Sequence, residues 1–130
     1  MMKNITTLGR ILFALPFTIF GINHFLMTDY YLGMLTSFIP LGAYTIILTG
    51  IMLITASISI ITKKYVKFST IMLAVLLFLF IVTIHIPHLI AGIDRTATLI
   101  AFLKDISLLG GSLIIAGIYS EEESHNPKIS

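Results

Sequence analysis

Four stretches of nearly continuous apolar residues divide the chain, near residues 6–27, 41–62, 68–90 and 97–119, with short polar connections between them. Leu41 to Ile61 carries no charged side chain, and about 20 such residues cross a ~30 Å hydrocarbon core as a helix. The other three stretches are similar but carry isolated polar interruptions. The apolar and polar alternation of barrel strands is missing, because Ile, Leu and Phe run consecutively. A helical bundle is then the architecture that satisfies the backbone in lipid, and the predicted fold is an all-α membrane protein with four transmembrane helices. The spans form one domain over residues 1–119, followed by a polar, frayed tail at 120–130, which leaves no room for a soluble catalytic domain.

Composition agrees with the pattern. Of 130 residues, 57% are hydrophobic and 11% charged, against about 25% charged in soluble domains. The first apolar stretch contains Arg10 and ends in no small-x-small cleavage site, so it is predicted to be a retained helix. Lys3 and Arg10 flank the first span and Lys63, Lys64 and Lys67 crowd the second connection, while the first and third connections offer Arg95 against Asp29 and Asp94. By the bias of basic residues toward the cytoplasm, both termini are expected on that side. Between helices 1 and 2, the segment Asp29 to Pro40 holds Tyr30, Tyr31, Leu32, Met34, Leu35, Phe38 and Ile39, and reads as a short amphipathic helix lying in the outer interface. The chain has no cysteine, which excludes thiol–disulfide exchange as its own chemistry.

The candidate chemistry lies in ionisable residues placed where lipid disfavours them. His24, His85, His88, Lys104 and Asp105 sit within or at the ends of apolar stretches, and each charge at bilayer depth costs roughly 2.5 to 3.5 kcal/mol on insertion scales. Helix 1 carries Arg10 at its cytoplasmic end and His24 about 21 Å further along the axis. Helix 3 ends in Thr83-Ile84-His85-Ile86-Pro87-His88, and helix 4 returns with Lys104 and Asp105 roughly 10 to 12 Å below the outer interface. One leaflet therefore receives polar groups from several segments. His85 and His88 share a face in a regular helix, and Pro87 between them is expected to kink it. Their spacing alone is a weak metal signal, and no metal site is predicted. Lys104 can snorkel toward the interface; Asp105 is too short and needs a donor, for which His24, His85, His88, Lys104, Tyr30, Tyr31 and Tyr44 are the candidates. Arg10 is assigned a structural role, snorkelling to headgroups or capping a neighbouring helix. Gly42, Gly50, the run Thr55-Ala56-Ser57 with Ser59, and Gly110, Gly111, Ala116 and Gly117 are expected to permit close helix packing.

Leu8-Gly9-Arg10-Ile11-Leu12-Phe13, followed by Phe20-Gly21-Ile22-Asn23-His24-Phe25, resembles the first helix of the DoxX-like (DoxX/DoxD) membrane proteins, which carry an early Arg and a late G-x-x-H/K-F element. Pro40 before helix 2, the Thr49-Gly50 step and Leu109-Gly110-Gly111 fit the same pattern, over residues 8–117. Arg10, Gly21 and His24 are the positions that match family features one by one. The chain departs from that pattern in lacking the acidic residue often seen near the small-residue motif of helix 2. The resemblance implies a multi-pass protein of the inner (cytoplasmic) membrane, in which some relatives pass electrons to quinone beside sulfur-oxidising enzymes and others partner soluble redox proteins.

The expected function is a quinone-associated or accessory subunit of a membrane redox system, with His24, His85 and Asp105 serving the quinone head. The competing reading is a non-catalytic scaffold or assembly subunit, whose polar groups hold the bundle or a partner helix. A haem b held by histidines of helices 1 and 3, and a proton or solute pathway, are further alternatives. Expected partners are the bilayer, a membrane redox complex or soluble redox protein, and further copies of the chain; nucleic acid is not among them.

Overall fold

A computed structural model describes residues 2–29 and 42–125, and their side chains from Asn4 to Ser120. The expected interfacial segment, with Tyr30, Tyr31 and Pro40, lies outside the described residues. The rest is helical: α1 (Met2–Leu26), α2 (Ala43–Ile61), α3 (Val66–Phe80), a π-helical turn (Ile81–His85), α4 (Ile86–Ala91) and α5 (Arg95–His125). Four stretches are long and apolar enough to cross a membrane, Asn4–Leu26, Ala43–Ile61, Val66–Ala91 and Arg95–Ser120. This is the architecture of a multi-pass membrane protein.

The helices alternate in direction. Thr18 Oγ1 lies 2.7 Å from Ser57 Oγ and the glycines at 21 and 50 abut, so α1 and α2 run antiparallel. Ser112 Oγ donates to Thr70 O at 2.5 Å and Asp105 meets His85, so α3 and α5 do likewise. The core between them is Ala14, Phe17, Leu53, Ile60, Leu73, Leu76 and Leu77. α1 packs along α2 and α5 along α3, with α2 against α3 at the junction. α1 and α5 meet through side chains, with the Phe13 ring near Gly111, Arg10 beside Tyr119 and Lys104 over Phe20.

The connections α2–α3 and α4–α5 are tight. α2 turns into α3 through Lys63 and Tyr65, both at positive φ (62° and 54°). α4 ends at Gly92, whose φ of 74° is a left-handed cap that costs glycine nothing, and Ile93 N–H returns to His88 O. Two expectations change. α5 continues through Ser120 to His125 where a frayed tail was expected from residue 120, because a Ser/Glu run propagates a helix already nucleated. Gly110 and Gly117 face open space, so in this chain they are not packing positions.

Candidate functional site

Each polar group is aimed by its helix. Arg10 is buried at one end of the bundle, where Nη1 donates to the carbonyls of Ile60 and, at 2.8 Å, Ile61. Those carbonyls close the C-terminus of α2, beyond its i→i−4 ladder, where Ile60 O also accepts from Lys63 N–H at 3.3 Å and the negative end of the helix dipole lies. The guanidinium carbon also stands 5.9 Å from the Tyr119 ring centroid, as does Lys63 Nζ. Arg10 is thus a helix cap, separated from the other ionisable groups by most of the length of α1.

At the opposite end, the closest approach of α1 and α2 sets His24. A Cβ built on Gly50 would stand 2.9 Å from His24 Cβ and 3.0 Å from Gly21 O, and one on Gly21 would stand 2.9 Å from Gly50 O. Only two glycines allow the backbones this close. His24 is consequently buried, and its Nδ1 donates to Phe20 O at 2.7 Å, which makes Nε2 the acceptor nitrogen of the neutral ring.

The π-helical turn sets His85. Pro87 has no N–H to offer the carbonyl of Thr83, and Ile86 N–H reaches back five residues to Ile81 O instead of four. The expected kink is therefore a widened turn within a continuous span. It presents His85 Nε2 to Asp105 Oδ2 at 2.7 Å, both side chains nearly buried. Among the described donors considered for Asp105, His85 is the one bonded to it. His88 Nδ1 donates to Ile84 O at 2.6 Å, one turn further out, and Tyr44 is exposed. Lys104 Nζ lies 5.3 Å from the centroid of Phe20, across the helix seam.

His24, His85, Lys104 and Asp105 line one cavity of about 190 Å³. Its remaining wall is Phe17, Phe20, Leu53, Leu77, Phe80, Ile84 and Ala101, so all four spans contribute and the polar groups are few against an apolar surround. That is the usual character of a small-molecule site. His88 is not part of the cavity lining. Among the described residues no group of three His, Cys, Asp or Glu converges as a metal site would require. Compared with protein-family models, curated proteins and solved structures, the chain gives no match.

The sequence singled out the four ionisable residues of the cavity. It did not mark Gly50 as the residue against His24, nor Phe20 as the ring beneath Lys104, nor Ala101 as a small side chain that leaves space. Gly50 carried a signal in the Thr49-Gly50 step, whereas Ala101 carried none.

Proposed function

We propose that this chain is a DoxX-like, quinone-associated subunit of a membrane redox system, lying in the inner membrane with both termini cytoplasmic. The observation that carries the reading is the cavity that brings His24, the His85–Asp105 pair and Lys104 against an aromatic wall. Its volume of about 190 Å³ exceeds the roughly 150 Å³ of an engineered apolar cavity that takes up benzene, so a single six-membered ring fits. Positive residues cluster at the other end of the bundle, at Arg10, Lys63, Lys64 and Lys67, which supports placing the cavity in the outer leaflet.

A bound quinone supplies two-electron, two-proton redox chemistry, with the electrons coming from a partner dehydrogenase. The chain's own residues would bind, orient and handle protons. Lys104, in the cavity lining, would donate to an oxygen of the bound head. Asp105 holds His85 by Nε2, so the imidazole gains or gives a proton at Nδ1 while its orientation stays fixed. Phe17, Phe20 and Phe80 line the cavity and would give a bound ring an apolar surround.

The test is quinone content and affinity. Protein drawn from its own membrane is expected to carry near-stoichiometric quinone by chromatography, and Asp105→Leu to weaken binding of a short-tailed quinone about 10- to 100-fold, the equivalent of one charge-assisted hydrogen bond network. Absence of co-purified quinone together with no binding up to millimolar quinone would reject the reading. The scaffold reading draws support from the interhelical bonds Thr18–Ser57, Ser112–Thr70 and Arg10–Ile60, which tie the bundle without any ligand. It predicts a stoichiometric partner whose capture is indifferent to the cavity.

A further inference from the structure

Exposure around the cavity follows a gradient. His24, Asp105, Leu53, Leu77 and Phe17 form a buried floor, while Phe20 is half-buried and Lys104 is exposed. The exposed side is the seam between α1 and α5, the two helices that meet through side chains. Toward the Arg10 end that seam is closed, by the Phe13 ring at 3.4 Å from a Cβ on Gly111 and by Arg10 against Tyr119. At the level of the cavity it is bridged by the exposed Lys104 side chain, whose ammonium lies over the half-buried Phe20 ring.

That level is deep. Lys104 stands nine residues, about 13 Å, along α5 from Arg95, within a span long and apolar enough to cross the membrane. Its neighbours on the exposed surface are Ile100, one turn before it, and Leu103, at 62% and 54% exposure. Such a surface faces hydrocarbon, so a ligand reaching the cavity through this seam comes from the bilayer and not from water.

We propose that the cavity is filled sideways from the outer leaflet, through the seam between Phe20 on α1 and Lys104 on α5. Its ligand is a membrane-dissolved molecule with a single-ring, oxygen-bearing head and a long apolar tail. This rests on the ring-site reading above and adds the route and the tail. The head passes under the Lys104 ammonium, which leaves the Phe20 face for a ring oxygen, and the tail stays in the lipid against the Ile100 and Leu103 surface. Lys104 therefore serves as latch and as binding group.

The chain lacks tryptophan and cysteine, so both can be introduced as unique probes. In proteoliposomes, Phe20→Trp is expected to be quenched strongly by lipids brominated on their acyl chains and weakly by iodide; stronger quenching by iodide overturns the route. Phe13→Cys with Gly111→Cys, joined through two mixed disulfides by a short bis-methanethiosulfonate reagent, pins α1 to α5 away from the cavity lining. Decylubiquinone binding is expected to slow at least tenfold in the pinned protein and to recover on reduction of the bridge. Equal rates with and without the bridge overturn the lateral route while leaving the ring site standing. No binding by the unbridged protein overturns both. Should the double variant fail to fold, the quenching comparison decides the route by itself.

Discussion

Ala101→Leu separates a binding site from a structural staple. Ala101 lines the cavity and is half-buried, one turn from Lys104 and Asp105 on α5. Trimming a buried leucine to alanine opens a cavity of about 150 Å³, so the reverse change supplies side chain of the right order to fill the roughly 190 Å³ here. In lipid the transfer of apolar groups from water contributes little, and the gain comes from packing contacts, about 24 cal/mol per Å³ of cavity removed. Complete filling would be worth about 4 to 5 kcal/mol on that scale; a leucine fills only part of a cavity that is not fully enclosed, so about 1 to 2 kcal/mol is the expected stabilisation. The polar groups are untouched. Unfolding by SDS titration in mixed micelles, followed by circular dichroism, measures the stability, and equilibrium binding of a short-tailed quinone measures the site. A binding site predicts a more stable protein that loses quinone affinity by tenfold or more. Gained stability with quinone binding unchanged would refute the assignment of the cavity, and lost stability would refute the packing argument on which the volume rests.

The glycines make a sign test: Gly50→Ala is expected to cost about 1 to 3 kcal/mol through overpacking against His24 Cβ and Gly21 O, whereas Gly110→Ala, with nothing within 4 Å, is expected to gain up to about 1 kcal/mol of helix propensity. SDS unfolding checks both, and equal effects would contradict the helix crossing. Arg10→Met removes the guanidinium donor from the α2 carbonyls of Ile61 and of Ile60, which keeps Lys63 N–H, and is expected to destabilise by about 1 to 3 kcal/mol, with quinone affinity unchanged because the cavity lies at the other end. Pro87→Ala restores an N–H for the Thr83 carbonyl and favours a regular helix, rotating the segment around His85 by up to about 100°. The expected result is a change in His85 side-chain NMR shifts and weaker quinone binding without loss of global stability; an unchanged His85 spectrum would detach the π-helical turn from Pro87.

Depth was legible in the sequence, and rotation was not. Counting 1.5 Å per residue along four apolar spans is enough to bring His24, His85, Lys104 and Asp105 to one level, because axial position follows from the connections alone. Which way each residue faces is a different question. A soluble helix declares its buried face by amphipathic contrast, but here Ile, Leu and Phe cover the lipid side as well as the core, so Gly110 and Gly117 looked as suited to packing as Gly50 and Gly111. Seven donors remained open for Asp105 for the same reason, and the choice of His85 depends on a π-helical turn that shifts the rotational register beyond Phe80. Pro87 announced an irregularity there without specifying its kind. The cavity was invisible because it is defined by what Ala101 and the aromatic wall leave open.

The two ends of the bundle treat their charges differently, and the difference bears on function. Arg10 is consumed by structure, since its Nη1 closes a helix C-terminus and its plane rests near Tyr119. His85 and Asp105 also satisfy each other, at 2.7 Å. A pair closed in this way needs neither a cavity beside it nor a lysine opposite. Lys104 is the residue for which a staple gives no account: a charge at that depth costs roughly 2.5 to 3.5 kcal/mol, while an aromatic face returns about 0.5 to 2 kcal/mol. Among the described residues its contact is the Phe20 ring, and Asp105 is already held by His85. The least compensated charge thus stands at the rim of a cavity sized for one ring. A ligand oxygen at Lys104 Nζ would close that deficit, which makes the ammonium the group on which ligand affinity should depend most steeply.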